Sequence, residues 1–387
     1  MNKKDFKKEL NDKNIPFKEK DEYLVVSGNN VDLSSLNILP ENTIFKNKGW
    51  VNLRGLTILP ENIIFKNKGA VYLNSLIALP ENAIFENKEA IVLSSLTTLP
   101  ENTTFKNKGP VHLNSLCTLP ENTTFKNKGS VHLNSLCTLP ENTVFKNKGW
   151  INLKSLCTLS ENTTFKNKGF VDLKSLCTLP ENTIFKNKGW VDLRSLKILS
   201  ESTIFKNKGW VDLRSLCTLP ENTIFKNKGD VYLSSLNNQK IKYQGVEILI
   251  KDIDGETMII TSTKQKGDFI IYKSKYFKGG VLEDLPQCYI TQLGKFYAHG
   301  ETIKSAITDV EFKYQQENLD VSDLVKKIKK SLVVTDNDYR LLTGACSAGV
   351  QEFKKQHRIT ADKLPLKEVL ELTKDSYGGK KLQELFN

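Results

Sequence analysis

No stretch of this chain approaches the roughly 18 uninterrupted apolar residues of a membrane-spanning helix. Residues 1–19 are polar and lysine-rich, with no apolar core of signal-peptide length. The expectation is a soluble, cytoplasmic protein with no membrane partner. Histidine is scarce, at four residues, and neither a C-x-x-C pair nor an H-E-x-x-H motif occurs. Metal catalysis therefore has no support, and no metal or cofactor is expected. Gly378-Gly379-Lys380-Lys381 lacks the upstream glycine and the following Ser/Thr of a phosphate loop. The cysteine count is odd, at seven, which with no secretion signal argues against a disulfide framework.

What is present is an ordinary folded composition, 39% hydrophobic and 26% charged, with a formal net charge of +12 that favours acidic partners. Within it lies a unit, V-x-L-x-S-L-x-x-L-P-E-N-T-x-F-K-N-K-G-x, repeated without insertion across residues 31–236. Phe45, Phe65, Phe85 and their successors to Phe225 fall 20 apart. A constant gap-free period predicts about ten coils of a solenoid, each unable to bury its apolar side alone. Val51 and Leu53 share one face of a short strand, the one strand per coil that the pattern marks. Leu56, Leu59 and Phe65 continue the inward set. Pro60 turns the chain and Gly49 supplies backbone freedom. Asn47 and its copies form an amide row able to bond coil to coil. Five cysteines (117, 137, 157, 177 and 217) share one repeat position. They are expected as small fillers of a reduced core, since Thr57, Ile77, Thr97 and Lys197 replace them elsewhere.

The L-x-x-L-P closure, Leu56 to Pro60, resembles that of bacterial leucine-rich repeats, with serine (Ser35, Ser75, Ser115) at the usual asparagine. The cross-section is thus either a leucine-rich-repeat arc or a more closed β-helix. The unit F-x-N-x-G-x-V-x-L-x-S-L-x-x-L-P is also similar to short-period repeat proteins of bacteriophages and prophages. That resemblance implies a phage-related context inside a bacterial host cell and interference with host defence. The fold class is a β-solenoid, leucine-rich-repeat-like with 20-residue coils, followed by a small α+β region and a helical C-terminus. Its divisions are a cap (1–30), the solenoid (31–240), an α+β domain (241–317) and a helical unit (318–387). In the cap, residues 3–12 form a helix and 23–27 a strand that begins the stack.

Positions that repeat are explained by stacking, so function is sought where coils differ. The alternation that buries Val51 and Leu53 predicts that positions 50, 52 and 54 face solvent. Over four coils these present Trp150, Phe170, Trp190 and Trp210, then Asp172, Asp192 and Asp212 (with Asn152), then Lys154, Lys174, Arg194 and Arg214. An aromatic column flanked by charge has the composition of a binding hot spot. The competing explanation is that the aromatics serve only as cross-strand pairs between coils. A second pattern is a rail of nineteen lysines at the Lys46 and Lys48 positions, broken once by Glu86, with an acidic row at the Glu41 position. A polyanion would neutralise the rail; the plainer reading is a solubilising edge.

Beyond residue 236, strands are predicted at 246–250, 258–263, 269–272 and 288–291, with Asp254-Gly255 as a hairpin turn. A helix over 303–316 starts near Thr302. This strand-to-helix phrase resembles the α+β domain of HicB-type antitoxins. Further helices are predicted at 321–332, 339–356, 366–374 and 379–386. His299 reads as a structural histidine and the small-residue run around Cys346 as a close helix contact, so no catalytic residue is assigned. The leading reading is a non-enzymatic scaffold that captures a protein partner or self-associates through the aromatic face. The alternatives are nucleic-acid or nucleotide binding through the lysine rail and stacked tryptophans, and an enzyme in the C-terminal region.

Overall fold

Two extended segments close each 20-residue coil, joined in seven of the ten turns by a left-handed asparagine. Val51 and Leu53 are buried with Asn52 between them at the surface. After the inward Leu56 and Leu59, the Pro60-Glu61-Asn62 turn redirects the chain. Asn62 takes φ 57°, and Asn102, Asn122, Asn142, Asn162 and Asn182 do the same, in a region asparagine tolerates better than most residues. A second pair, Ile64–Phe65, then buries its phenylalanine. The computed structural model describes residues 1–345 and 347–386 and stacks these coils into a β-solenoid.

The valine segments form an eleven-stranded parallel ladder in strict register, Val111 beside Val131 and Ile151 beside Val171. The phenylalanine segments form a second parallel row, Phe105 beside Phe125. Both rows line one core. There are therefore two strands per coil where the pattern marked one, and the cross-section is that of a β-helix rather than a one-sided arc. A third side is paired only in places, as at Thr138–Leu139 with Thr158–Leu159. Inside, successive phenylalanine rings stack 5.1 to 5.8 Å apart over most of the rod. The asparagine row bonds coil to coil: Asn147 Nδ2 donates to the carbonyls of Gly129, Gly149 and Trp150 at 3.3, 3.0 and 3.3 Å. Its Oδ1 finds no protein donor, so the ladder is stabilised through its N–H groups.

The repeated glycine has a different cause from the one its conformational freedom suggests. Gly169 is not left-handed; instead a Cβ there would lie 2.5 Å from both the Gly149 carbonyl carbon and the Trp150 nitrogen. Close approach of backbones, not φ, excludes a side chain. Gly169→Ala is thus expected to lower unfolding free energy by about 1–3 kcal/mol, the usual cost of overpacking, measurable by urea denaturation. An unchanged midpoint would mean that the coils separate without strain. The protein contains its own partial test. Glu89 replaces this glycine in one coil, which also carries Ala83 and Glu86. There the phenylalanine row breaks, its sheet ending at Phe85 and restarting at Thr104. The ring step widens to 6.1 Å and tilts by 31°.

The five repeat cysteines overturn their predicted role. Cys117, Cys137, Cys157, Cys177 and Cys217 are exposed free thiols. Each follows a buried leucine, and the chain continues outward there before Leu119 and its counterparts return to the core. In the first four coils the sulfur sits 3.4–3.6 Å from a serine carbonyl two residues back.

Both ends of the rod are covered. Helix α1 (Lys3–Asp12) buries Phe6 and Leu10, and hairpin β1 (Phe17–Lys20) and β2 (Tyr23–Val26) continues into the phenylalanine row, Val26 beside Phe45. At the far end Val231 N donates to Phe277 O (3.0 Å) and Gly280 N to Phe225 O (2.8 Å), while the Phe277 and Tyr243 rings pack on Phe225. Strands β3 (Lys240–Tyr243) and β4 (Val246–Ile253) belong to this end. Part of the region expected as a separate domain is thus a solenoid cap.

The chain forms two compact units, residues 1–259 with 276–285, and residues 260–275 with 286–387. It passes from the first to the second along β5 (Glu256–Lys266) and returns along β6 (Phe269–Tyr276). In the second unit β6 pairs with β7 (Gln287–Leu293), which pairs with β8 (Phe296–Gly300). Helix α2 (Ile303–Glu317) follows, its start fixed by the predicted Thr302 in a capping box with Ser305. The helical part holds α3 (Val321–Ser331), α4 (Asp336–Thr343), α5 (Ser347–Gln356), α6 (Leu366–Thr373) and α7 (Gly379–Phe386). Two short antiparallel strands, Val333–Thr335 and Lys363–Pro365, went unpredicted. The helix predicted at 339–356 is two helices, because Gly344 ends α4 in a left-handed cap, φ 81°.

Candidate functional site

The aromatic face is built by the valine row. Because each valine is buried, its neighbours on either side point outward, and strict register places them in columns. Phe170 and Trp190 stack at 4.0 Å and 4° between planes, Trp190 and Trp210 at 4.5 Å and 6°. Trp150 meets Phe170 at 4.4 Å but turned by 63°, and at 36% it is the most solvent-exposed of the four. Since the planes of the lower three rings lie face to face along the rod, their edges form the outer rim. The column continues sideways through His132, whose ring meets Trp150 edge-on at 5.2 Å.

The second column behaves differently from its predicted exposure. Asp192 and Asp212 are buried, at 2% and 1%. Each has two structural duties. Asp192 Oδ1 accepts from Arg194 N at 3.2 Å, an Asx turn closing the strand end, and the carboxylate also takes a forked ion pair from the Arg194 guanidinium (2.9, 3.0 and 2.5 Å). Asp212 and Arg214 repeat the arrangement. Asp172 keeps the turn, accepting from Lys174 N at 3.2 Å, and is half-buried. Burial, with Asp192's charge adding to it, raises its pKa above the ordinary carboxylate value. Asn52 and Asn152 cap the same turn. A signal for this was legible: only Asn, Asp or another short residue with a side-chain acceptor makes an Asx turn, and six of the eleven coils carry Asn or Asp there. The third column is available. Lys174, Arg194 and Arg214 are exposed and Lys154 is half-buried.

Upstream in the rod His112 and His132 stack at 4.5 Å and 6°. Burial lowers both pKa values, and His132, with His112's charge adding to burial, falls to about 4. The sign follows from linkage. The folded pKa lies below the unfolded value, so the neutral pair's stability is complete above pH ~6.5 and drains away as pH falls towards 4. His132→Asn, the residue Asn152 carries at this position, is expected to flatten that acid slope, by less than the full shift implies because water screens the half-exposed ring. Urea midpoints at pH 7 and 4.5 for both proteins check it; parallel slopes would refute it.

All nineteen rail lysines are exposed, and among the described residues only Lys66 is ion-paired, with Glu86 at 3.5 Å. The chain matches no family model, no curated protein and no solved structure.

In the second unit, a cavity of about 360 Å³ lies among α4, α5 and α6, with Val350, Phe353, Leu364 and Leu372 in its walls. Gly344, Ala345 and Gly349 line it too. Its buried ammonium, Lys354, is held by Asp336 (2.6 Å) and Asp362 (3.1 Å). Cys346, at the centre of the small-residue run read as a helix contact, lies outside the described residues. His299 sits half-buried in β8 opposite Ile290. Among the described residues no group of three or more His, Cys, Asp or Glu is placed to hold a metal ion, and no helix is long and apolar enough to cross a membrane.

Proposed function

We propose that the chain is a non-enzymatic binding scaffold that captures a protein partner through the aromatic face of coils 150–214. The observation that carries this reading is the aromatic column itself, four large rings held in register on a rigid sheet and bordered by exposed cations. Preorganised aromatics and arginines are the side chains that dominate protein interfaces. Stacking between coils accounts for ring-to-ring contact, but smaller residues serve at the same position in Ala70, Ala90 and Ser130. The resemblance of the unit to phage and prophage repeat proteins supports a phage-related context and interference with host defence, and the second unit is then a further binding module. Capture from the native host by the wild-type chain, set against Trp190→Ala/Trp210→Ala, tests the reading. Equal capture by both would reduce the column to a structural tie.

The lysine rail supports a second reading, polyanion binding, because its charges are solvated and almost wholly unpaired. Salt separates the two. Polyanion affinity falls steeply between low and moderate salt, whereas a contact centred on aromatic burial changes less.

A further inference from the structure

We infer that the aromatic face takes an acidic protein surface with an apolar ridge, and that it is neither a base-stacking platform nor a self-association face; this rests on the scaffold reading above. In sequence the face looks balanced in charge, with acidic and basic columns side by side. Folding decides which of those charges are left unpaired. Asp192 and Asp212 are withdrawn below the surface, where turn N–H groups and their own arginines neutralise them. What remains outward is a rim of ring edges accompanied by unpaired lysines. Lys148, Lys168, Lys188 and Lys208 are exposed two residues before each ring, and Lys154 and Lys174 follow four residues after theirs with no ion-pair partner among the described residues, while Arg194 and Arg214 are taken up by the two aspartates. Within those four strand segments eight cations meet three carboxylates, a net of +5.

That arrangement discriminates among partners. Two copies of the face brought together would oppose like charges across a dehydrated contact, which disfavours an isologous dimer. Single-stranded nucleic acid gains its contact with aromatics by stacking bases on ring faces. Here the faces of Phe170, Trp190 and Trp210 are largely spent on one another at 4.0–4.5 Å, and only Trp150 is turned out of the stack. Carboxylates suit the unpaired lysines, and aliphatic or aromatic side chains suit the ring edges. A protein surface carrying both fits rings and lysines alike.

The test uses the full chain and three probes, labelled and titrated by fluorescence anisotropy: a glutamate–tyrosine copolymer, a lysine–tyrosine copolymer and oligo-dT. The acidic copolymer is expected to bind tightest. Lys154→Glu/Lys174→Glu, two positions outside the buried ion pairs, should weaken it at least tenfold, as should Trp190→Ala/Trp210→Ala, with circular dichroism unchanged. Tighter, tryptophan-dependent binding of oligo-dT overturns the inference in favour of nucleic acid. Tryptophan-dependent binding of the basic copolymer overturns it while leaving the scaffold reading intact. A wild-type dimer that the tryptophan substitutions dissociate overturns it in favour of self-association. Acidic-copolymer binding indifferent to the tryptophans removes both this inference and the scaffold reading.

Discussion

Trp190→Ala/Trp210→Ala is expected to weaken capture of the native partner at least about 100-fold, from a hot-spot loss on the order of 2 kcal/mol or more per ring. The fold should survive. A stacked aromatic pair contributes about 0.5–1.5 kcal/mol beyond its burial, and the double variant breaks the Phe170–Trp190, Trp190–Trp210 and Trp210–Tyr232 contacts without touching the inner core. Phenylalanine at both positions is the informative control, since Phe170 already stands in the column and keeps it stacked. Near-native capture by the phenylalanine variant, with loss in the alanine variant, would locate the effect in the ring rim. If the alanine variant binds within twofold of wild type by surface plasmon resonance, the face is not the docking site.

Phe165→Ala should cost about 3–5 kcal/mol of unfolding free energy, the range for deleting a buried phenylalanine. Phe165 is wholly buried, with neighbouring rings at 5.8 and 5.2 Å on either side. In a one-dimensional stack each coil is held by its neighbours, so a cavity at a central coil weakens both interfaces at once. Phe85→Ala should cost less, because its step to Phe105 is already 6.1 Å and tilted, where the row of strands breaks. Urea denaturation of the two variants gives the ranking. A loss below about 1.5 kcal/mol at Phe165 would show that the core closes over the gap.

The two kinds of prediction rest on differently legible parts of the chain. The inward set of Val51, Leu53, Leu56, Leu59 and Phe65 was readable because burial imposes identity at every coil, and each of these side chains is buried. The asparagine row was readable for the same reason, its amides reaching the carbonyls of the coil before. Local turn chemistry also showed through: Thr302 caps α2, and Asp254-Gly255 turns β4 into β5 with both residues at positive φ. Three readings failed where the cause was a neighbour rather than the residue itself. Repetition of the cysteines suggested core, yet their position lies on the solvent side between the inward Leu116 and Leu119 and their copies. The glycine suggested φ, yet what forbids a side chain is the backbone one coil away. The aspartates suggested a surface, yet an arginine two residues on folds over each of them.

Period and alternation, taken alone, determined that the chain stacks in 20-residue coils and which side chains turn inward, because one apolar pattern repeated without a gap can be buried in only one way. How many strands each coil holds, what covers the C-terminal end of the rod and which charges of the aromatic face remain in water were decided only in three dimensions. Those outcomes depend on atoms 20 or more residues apart in sequence, or on a side chain's choice of rotamer. Neither leaves a period to be read.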